Sequence, residues 1–326
     1  MKHKINPTID CVFKAILGTE KNKNLLIHFL NAILEPAKGS LIRDVTIKNP
    51  YNEREFTGDK LTIVDVKAVD EKGQNYQIEI QLAIHAALSA RILYTWSSIY
   101  HSQIQEGDNY QKLRPVISIW ILNGNLFSHV EECHIPFSVY NPKHQLVLTD
   151  HLAIHLLQLP KWQSNGTIKT EKERWIYLFK EGKDVDMDNP PESLSTKEMR
   201  QVMKVLHRFS ENEKDYLLYQ SRMDAVLKEN TYFSALEEAQ AEKEQALKEK
   251  EQALKEKEQA AKEKEQALKE KEQVAKEKEQ AAKEQEQQVA KLKEQAAKEQ
   301  EQAQKRINDL LLLLEKKGIE PDKELM

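Results

Sequence analysis

Asp65 and Glu79 sit on two segments of alternating apolar residues, with Gln81 two positions beyond the second acid. Leu61 to Val69 alternates, Asp70-Glu71-Lys72-Gly73 interrupts, and Gln74 to Leu82 alternates again, a pattern that predicts a β-hairpin. A three-residue loop Glu71-Lys72-Gly73, with Gly73 left-handed, pairs Asp70 with Gln74 and each residue i with 144 − i. Asp65 then stands opposite Glu79, with Cβ atoms about 4.5–5.5 Å apart, where like charges repel unless a cation compensates. Such a pair can hold Mg²⁺ through one or two carboxylates plus waters, and the ion can activate a water toward phosphorus. The plainer reading is two solvent-facing acids on an exposed sheet, because many hairpins would carry this spacing by accident.

The period of two places Ile63, Lys67, Gln77, Gln81 and Ala83 on the acidic face, and Val64, Val66, Ala68, Ile78, Ile80 and Leu82 on the other. The hairpin is therefore expected to have an apolar back and a polar, acidic front. Lys67 either projects its ammonium into the acidic site or is a solvated lysine. Asp10 precedes an apolar helical run; it is either a carboxylate added to the site from the first helix or a polar residue favoured by the helix dipole.

Around the hairpin, Pro7 to Leu34 reads as helix interrupted at Gly18, and Ile42 to Ile47 as a short strand. Ala86 to Gln105 carries Leu88, Ile92, Trp96 and Ile99 at helical spacing and ends at Gly107, and Val116 to Leu122 is an apolar strand suited to a sheet interior. Tyr94, Tyr100 and Gln103 either line a cleft or, as such aromatics more often do, pack on the sheet. His151 and His155 are four apart, but in a strand-like run with no third metal ligand nearby. Lys172 to Phe233 is helical in pattern, broken at Pro190-Pro191. From Gln245 the unit Gln-Ala-Leu-Lys-Glu-Lys-Glu recurs every seven residues, with Glu to Lys pairs such as Glu244–Lys248 and Glu265–Lys269. Only one large apolar position recurs per heptad, so this is expected to be a long, solvated charged helix whose self-association is weak.

The stretch Asn6-Pro7-Thr8-Ile9-Asp10-Cys11-Val12-Phe13-Lys14, then Lys23-Asn24-Leu25-Leu26-Ile27-His28-Phe29-Leu30-Asn31, then Glu79-Ile80-Gln81, resembles the Rpn family of recombination-promoting nucleases, also labelled transposases, in the PD-(D/E)XK nuclease superfamily. The likeness continues through Arg91-Ile92-Leu93-Tyr94, Gly107-Asp108-Asn109-Tyr110 and Leu159-Pro160-Lys161-Trp162, in consistent order over roughly the first half of the chain. The resemblance implies an α/β fold with a restriction-endonuclease-like core, α-β-β-β-α-β with a mixed sheet, and the residue patterns add a helical subdomain and the long charged C-terminal helix after it. The expected divisions are 1–165, 166–236 and 237–326. The resemblance also implies cleavage of DNA dependent on Mg²⁺ or Mn²⁺, with Asp65 and Glu79 as metal ligands, Asp10 as an accessory ligand and Gln81 as a further catalytic candidate; Lys67 is a catalytic candidate from its place on the acidic strand face, not from the resemblance. Gln81 stands where most of the superfamily carries Lys, although E-x-Q is usual within the Rpn group. A neutral amide can orient water but cannot offset charge developing on phosphorus. The rival is a non-catalytic protein that binds DNA or a partner and uses the long helix as a spacer or assembly element.

Charge does little for the DNA expectation, since residues 1–236 carry 29 basic and 29 acidic side chains and residues 237–326 carry 20 and 24. Lys112, Arg114, Lys161, Lys169 and Lys172 are the candidates for a local basic patch. Two cysteines, no signal-peptide-like h-region after Met1-Lys2-His3-Lys4 and no membrane-length apolar run lead to the expectation of a cytoplasmic protein with no membrane partner. A weak homo-oligomer through the C-terminal helix is the further expected association.

Overall fold

The computed structural model describes residues 3–48, 65–164 and 166–316. The chain forms two compact units, Met1–Glu238 and Ala239–Met326. In the first, α1 (Asp10–Leu17) and α2 (Lys23–Leu34) precede β1 (Val45–Ile47), β2 (Val66–Asp70) and β3 (Asn75–Gln81). Helix α3 (Leu88–His101), β4 (Val116–Leu122), β5 (His134–Asn141) and β6 (Leu146–Gln158) follow. Then come α4 (Glu171–Glu181), α5 (Lys197–Glu211) and the start of α6 (Glu213–Lys316).

One mixed sheet has the order β1-β2-β3-β4-β6-β5. β3, β4 and β6 run parallel at its centre, and the remaining neighbours pair antiparallel. The hairpin register is Val66 with Ile78, Lys67 with Gln77, Ala68 with Tyr76 and Val69 with Asn75. Gly73 supplies the turn's left-handed residue at φ 81°, and its N–H donates to the Asp70 carbonyl at 3.0 Å. The Asp70 carboxylate closes the loop by accepting from the N–H groups of Lys72 and Gln74, each at 2.9 Å. Residues 61–64 of the expected first strand lie outside the described residues.

Helices cover both faces of the sheet. The back, through Val66, Ala68, Tyr76, Ile78, Ile119, Ile121 and Leu157, packs against α1 and α2. Trp175, Phe179, Met199, Leu206 and Phe209 of α4 and α5 lie in that same cluster, so the helices after residue 166 share the core of the helices at the start of the chain. Trp175 is wholly buried; it donates to His28 Nδ1 at 3.0 Å and meets Phe29 edge-on at 5.4 Å. On the front, Leu88 and Ile92 of α3 bury Trp120, Leu122, Ile154 and Leu156. The hairpin's front is therefore polar, as its alternation suggests, but it is not open to solvent: Gln77, Glu79 and Gln81 are all buried.

The interruption at Gly18 separates α1 from α2, and a Cβ there would meet the Lys14 carbonyl oxygen at 3.0 Å and Val66 Cγ2 at 3.2 Å. Tyr100 packs on Trp96 and bonds His151 Nδ1 at 2.9 Å. Gln103 clasps Arg114 by bonds to its backbone N–H and carbonyl, whereas Tyr94 is exposed. His155 instead faces His134 across the β5–β6 pair, Nδ1 to Nε2 at 2.9 Å, so the two histidines of β6 have different partners.

Burial of His155 beside His134 is expected to make stability depend on pH. Burial, then His134 and Lys172, push His155 down to about 4 from 6.5. Between those values an unfolded chain takes a proton that the folded chain refuses, so stability falls as pH drops through the window and is unaffected above it. Replacing His155 by Gln is expected to relieve on the order of 2 kcal/mol of this loss near pH 4, read as a gain in urea midpoint over wild type that vanishes at pH 7.5.

The second unit consists, among the described residues, of the remainder of α6. Its ion pairs include Glu244–Lys248, Glu265–Lys269, Glu279–Lys283 and Glu294–Lys298, all at i, i+4. The amides of Gln245, Gln252, Gln259 and Gln273 donate to the glutamate four residues on. Leu247, Leu254 and Leu268 are exposed. Among the described residues no helix is long and apolar enough to cross a membrane.

Candidate active site

Glu79 lies on β3, flanked by β2 and β4, with its carboxyl on the face beneath α3. Asp65 comes one residue before β2, at the next step of the register. Its Oδ2 accepts the Ile80 N–H at 3.0 Å, so the carboxylate is clamped to the strand that carries Glu79. The Lys14 ammonium reaches Asp65 Oδ1 at 3.1 Å. Lys14 is also 3.9 Å from Asp10 Oδ2, which lies 3.6 Å from Arg222 Nε. One helical turn of α1 thus delivers a carboxylate and an ammonium together.

Glu79 is only 3% exposed, and burial followed by the facing Asp65 charge pushes its carboxyl up to about 8. Arg91, the Gln77 amide and Lys14 pull the other way. Gln77 Nε2 donates to Glu79 Oε1 at 3.3 Å, Ser118 Oγ to Gln77 Oε1 at 3.2 Å, and Trp120 Nε1 to Ser118 Oγ at 2.8 Å. This chain of donors crosses from β4 to β3 and ends on the carboxylate. Burial and the facing carboxylate disfavour ionisation of Glu79, and a cation placed between the two acids would relieve that penalty.

Gln81 is held at both ends of its amide: Nε2 donates to the Ala83 carbonyl at 2.8 Å, and Arg91 Nη1 donates to Oε1 at 2.9 Å. The Arg91 guanidinium lies 5.7 Å from the centre of the Trp120 ring. Lys67 is half-buried opposite Gln77. Among the described residues no three of His, Cys, Asp and Glu converge on one ion position, so Asp10 joins the acid pair through Lys14 rather than as a third member of one cluster. The expected basic patch is largely spent on other contacts, with Lys112 on Asp108, Lys161 on the Ser128 carbonyl and Lys172 on Glu35.

Lys14 and Arg91 are the two site residues whose roles the sequence does not announce. Both lie in stretches that carry the family likeness, 6–14 and 91–94; beyond that, Lys14 has its i, i+4 spacing from Asp10, and Arg91 its place near the start of the helix that follows β3.

A mixed sheet covered by helices on both faces, with opposed carboxylates at the β2–β3 hairpin, is the restriction-endonuclease-like α/β class. The model of the PD-(D/E)XK nuclease family transposase matches residues 7–235, and the chain belongs to that family. No curated protein and no solved structure matches the chain.

Proposed function

We propose that the chain is a metal-dependent DNA endonuclease acting in recombination or in transposition-like rearrangement. The single observation that supports this most is the buried Glu79 carboxyl facing Asp65, in a chain of a nuclease family. Two carboxylates suit Mg²⁺ or Mn²⁺, which keep several waters and need only one or two protein ligands. Asp65 and Glu79 would hold the ion, which when bound supplies an activated water and Lewis acidity at phosphorus. Gln77, fixed by Ser118 and Trp120, keeps Glu79 aimed, and the Ile80 N–H does the same for Asp65. Arg91 and Gln81 brace each other beside the pair, and Asp10 acts through Lys14.

Supercoiled plasmid incubated with the protein and Mg²⁺ or Mn²⁺ is expected to be nicked, and nicking should disappear with EDTA and in Asp65→Ala. A folded wild-type chain that leaves plasmid intact with both metals would point to the non-catalytic reading, in which the core binds DNA or a protein partner.

A further inference from the structure

We propose that Lys14, on the first helix, supplies the transition-state cation that a lysine at position 81 would otherwise provide. This inference rests on the nuclease reading of the same site. Phosphodiester hydrolysis adds a water oxygen to phosphorus and breaks the bond to the leaving sugar oxygen. The water gives up one proton, the leaving oxygen gains one, and negative charge builds on the phosphoryl oxygens in between. A neutral amide does not offset that charge. Gln81 is also in the wrong position to be recruited, because it is 7% exposed and its amide is tied to Ala83 and Arg91. Lys14 has the opposite character. Its ammonium stands 3.1 Å from Asp65 Oδ1, its side chain is 38% exposed, and its long stem allows the head to follow a phosphate that enters beside the acids. Asp10, one turn earlier on α1, keeps the ammonium on the site side of the helix.

A counter-ion that merely neutralises Asp65 makes different predictions from one that meets the scissile phosphate. The test compares Lys14→Met, which keeps most of the stem, with Lys14→Ala and Lys14→Arg, in single-turnover cleavage of a DNA duplex at saturating Mg²⁺. Mg²⁺ binding is measured separately by calorimetry without DNA. Lys14→Met and Lys14→Ala are expected to lose about 100-fold in rate at saturating metal, the usual scale for one charge-stabilising donor. Lys14→Arg should retain most of the rate, and added ethylammonium should restore part of it to Lys14→Ala. Mg²⁺ should bind both neutral variants at least as tightly as wild type, because a cation competing for Asp65 has gone. Cleavage within about threefold of wild type would overturn the inference, as would a loss that tracks weaker Mg²⁺ binding and ignores the amine. Wild-type protein without any cleavage would instead remove the nuclease reading on which the inference stands.

Discussion

Glu79→Gln is expected to abolish cleavage while making the protein more stable. Loss of a carboxylate from a unit that acts together should lower the rate by about 10³-fold or more. The gain in stability follows from the same carboxyl. It sits near 8 in the folded chain against an ordinary 4.5, because burial and Asp65 disfavour its ionised form. From pH 4.5 to 8 the unfolded chain has lost a proton that the folded chain retains, so stability drains away as pH rises through that window. A glutamine has no proton to lose. The variant should therefore exceed wild type by on the order of 3 kcal/mol at pH 7, with a smaller advantage at pH 5. Urea midpoints at the two pH values, taken beside plasmid cleavage, check both halves. An equal midpoint at both pH values would show that Glu79 is not the strained buried acid described above.

A fragment ending at residue 165 should fail to fold, whereas one ending at residue 238 should fold as well as the whole chain. The shorter fragment discards Trp175, Ile176, Leu178, Phe179, Leu194, Met199, Val202, Met203, Leu206 and Phe209, all of them buried in one cluster with α1, α2 and the back of the sheet. Burial of one large apolar side chain contributes about 1.5–3 kcal/mol, so ten of them exceed the roughly 5–15 kcal/mol by which a domain is stable. The Trp175 indole also leaves behind the His28 nitrogen it bonds. Near-ultraviolet circular dichroism and amide chemical-shift dispersion would decide the matter; a well-dispersed spectrum from residues 1–165 would show that the sheet and first helices suffice.

What could be read ahead of the structure was local. The hairpin register follows from alternation and one glycine turn, and it appears as expected over Val66–Val69 and Asn75–Ile78. The strand Val116–Leu122 has the expected bounds, with Pro115 before it and Asn123-Gly124 after it. The other elements kept their place but lost their frayed ends: the expected strand 42–47 is Val45–Ile47, and the expected helix 86–105 is Leu88–His101. What stayed hidden was non-local. A period of two cannot say whether a polar face is open or covered, and here Gln77, Glu79 and Gln81 are buried on the face of the sheet where α3 packs. Nor does spacing connect Lys14 with Asp65, which meet only because α1 runs alongside the start of β2. β5 escaped notice for a related reason: it carries Pro136, is largely exposed, and pairs with β6 through register shifts that blur its alternation.

The repeat in α6 has a consequence for how the tail can change. A unit such as Gln252-Ala253-Leu254-Lys255-Glu256-Lys257-Glu258 holds two lysines and two glutamates, so adding or removing one leaves the net charge untouched. Seven residues climb about 10.5 Å and fall only about 20° short of two full turns, so the leucine stripe stays nearly in line across the junction. Every i, i+4 contact across a junction finds the same partner type it had before. The tail therefore behaves as a rod adjustable in steps of one unit, and gain or loss of repeats in the coding DNA would alter its reach without altering its surface.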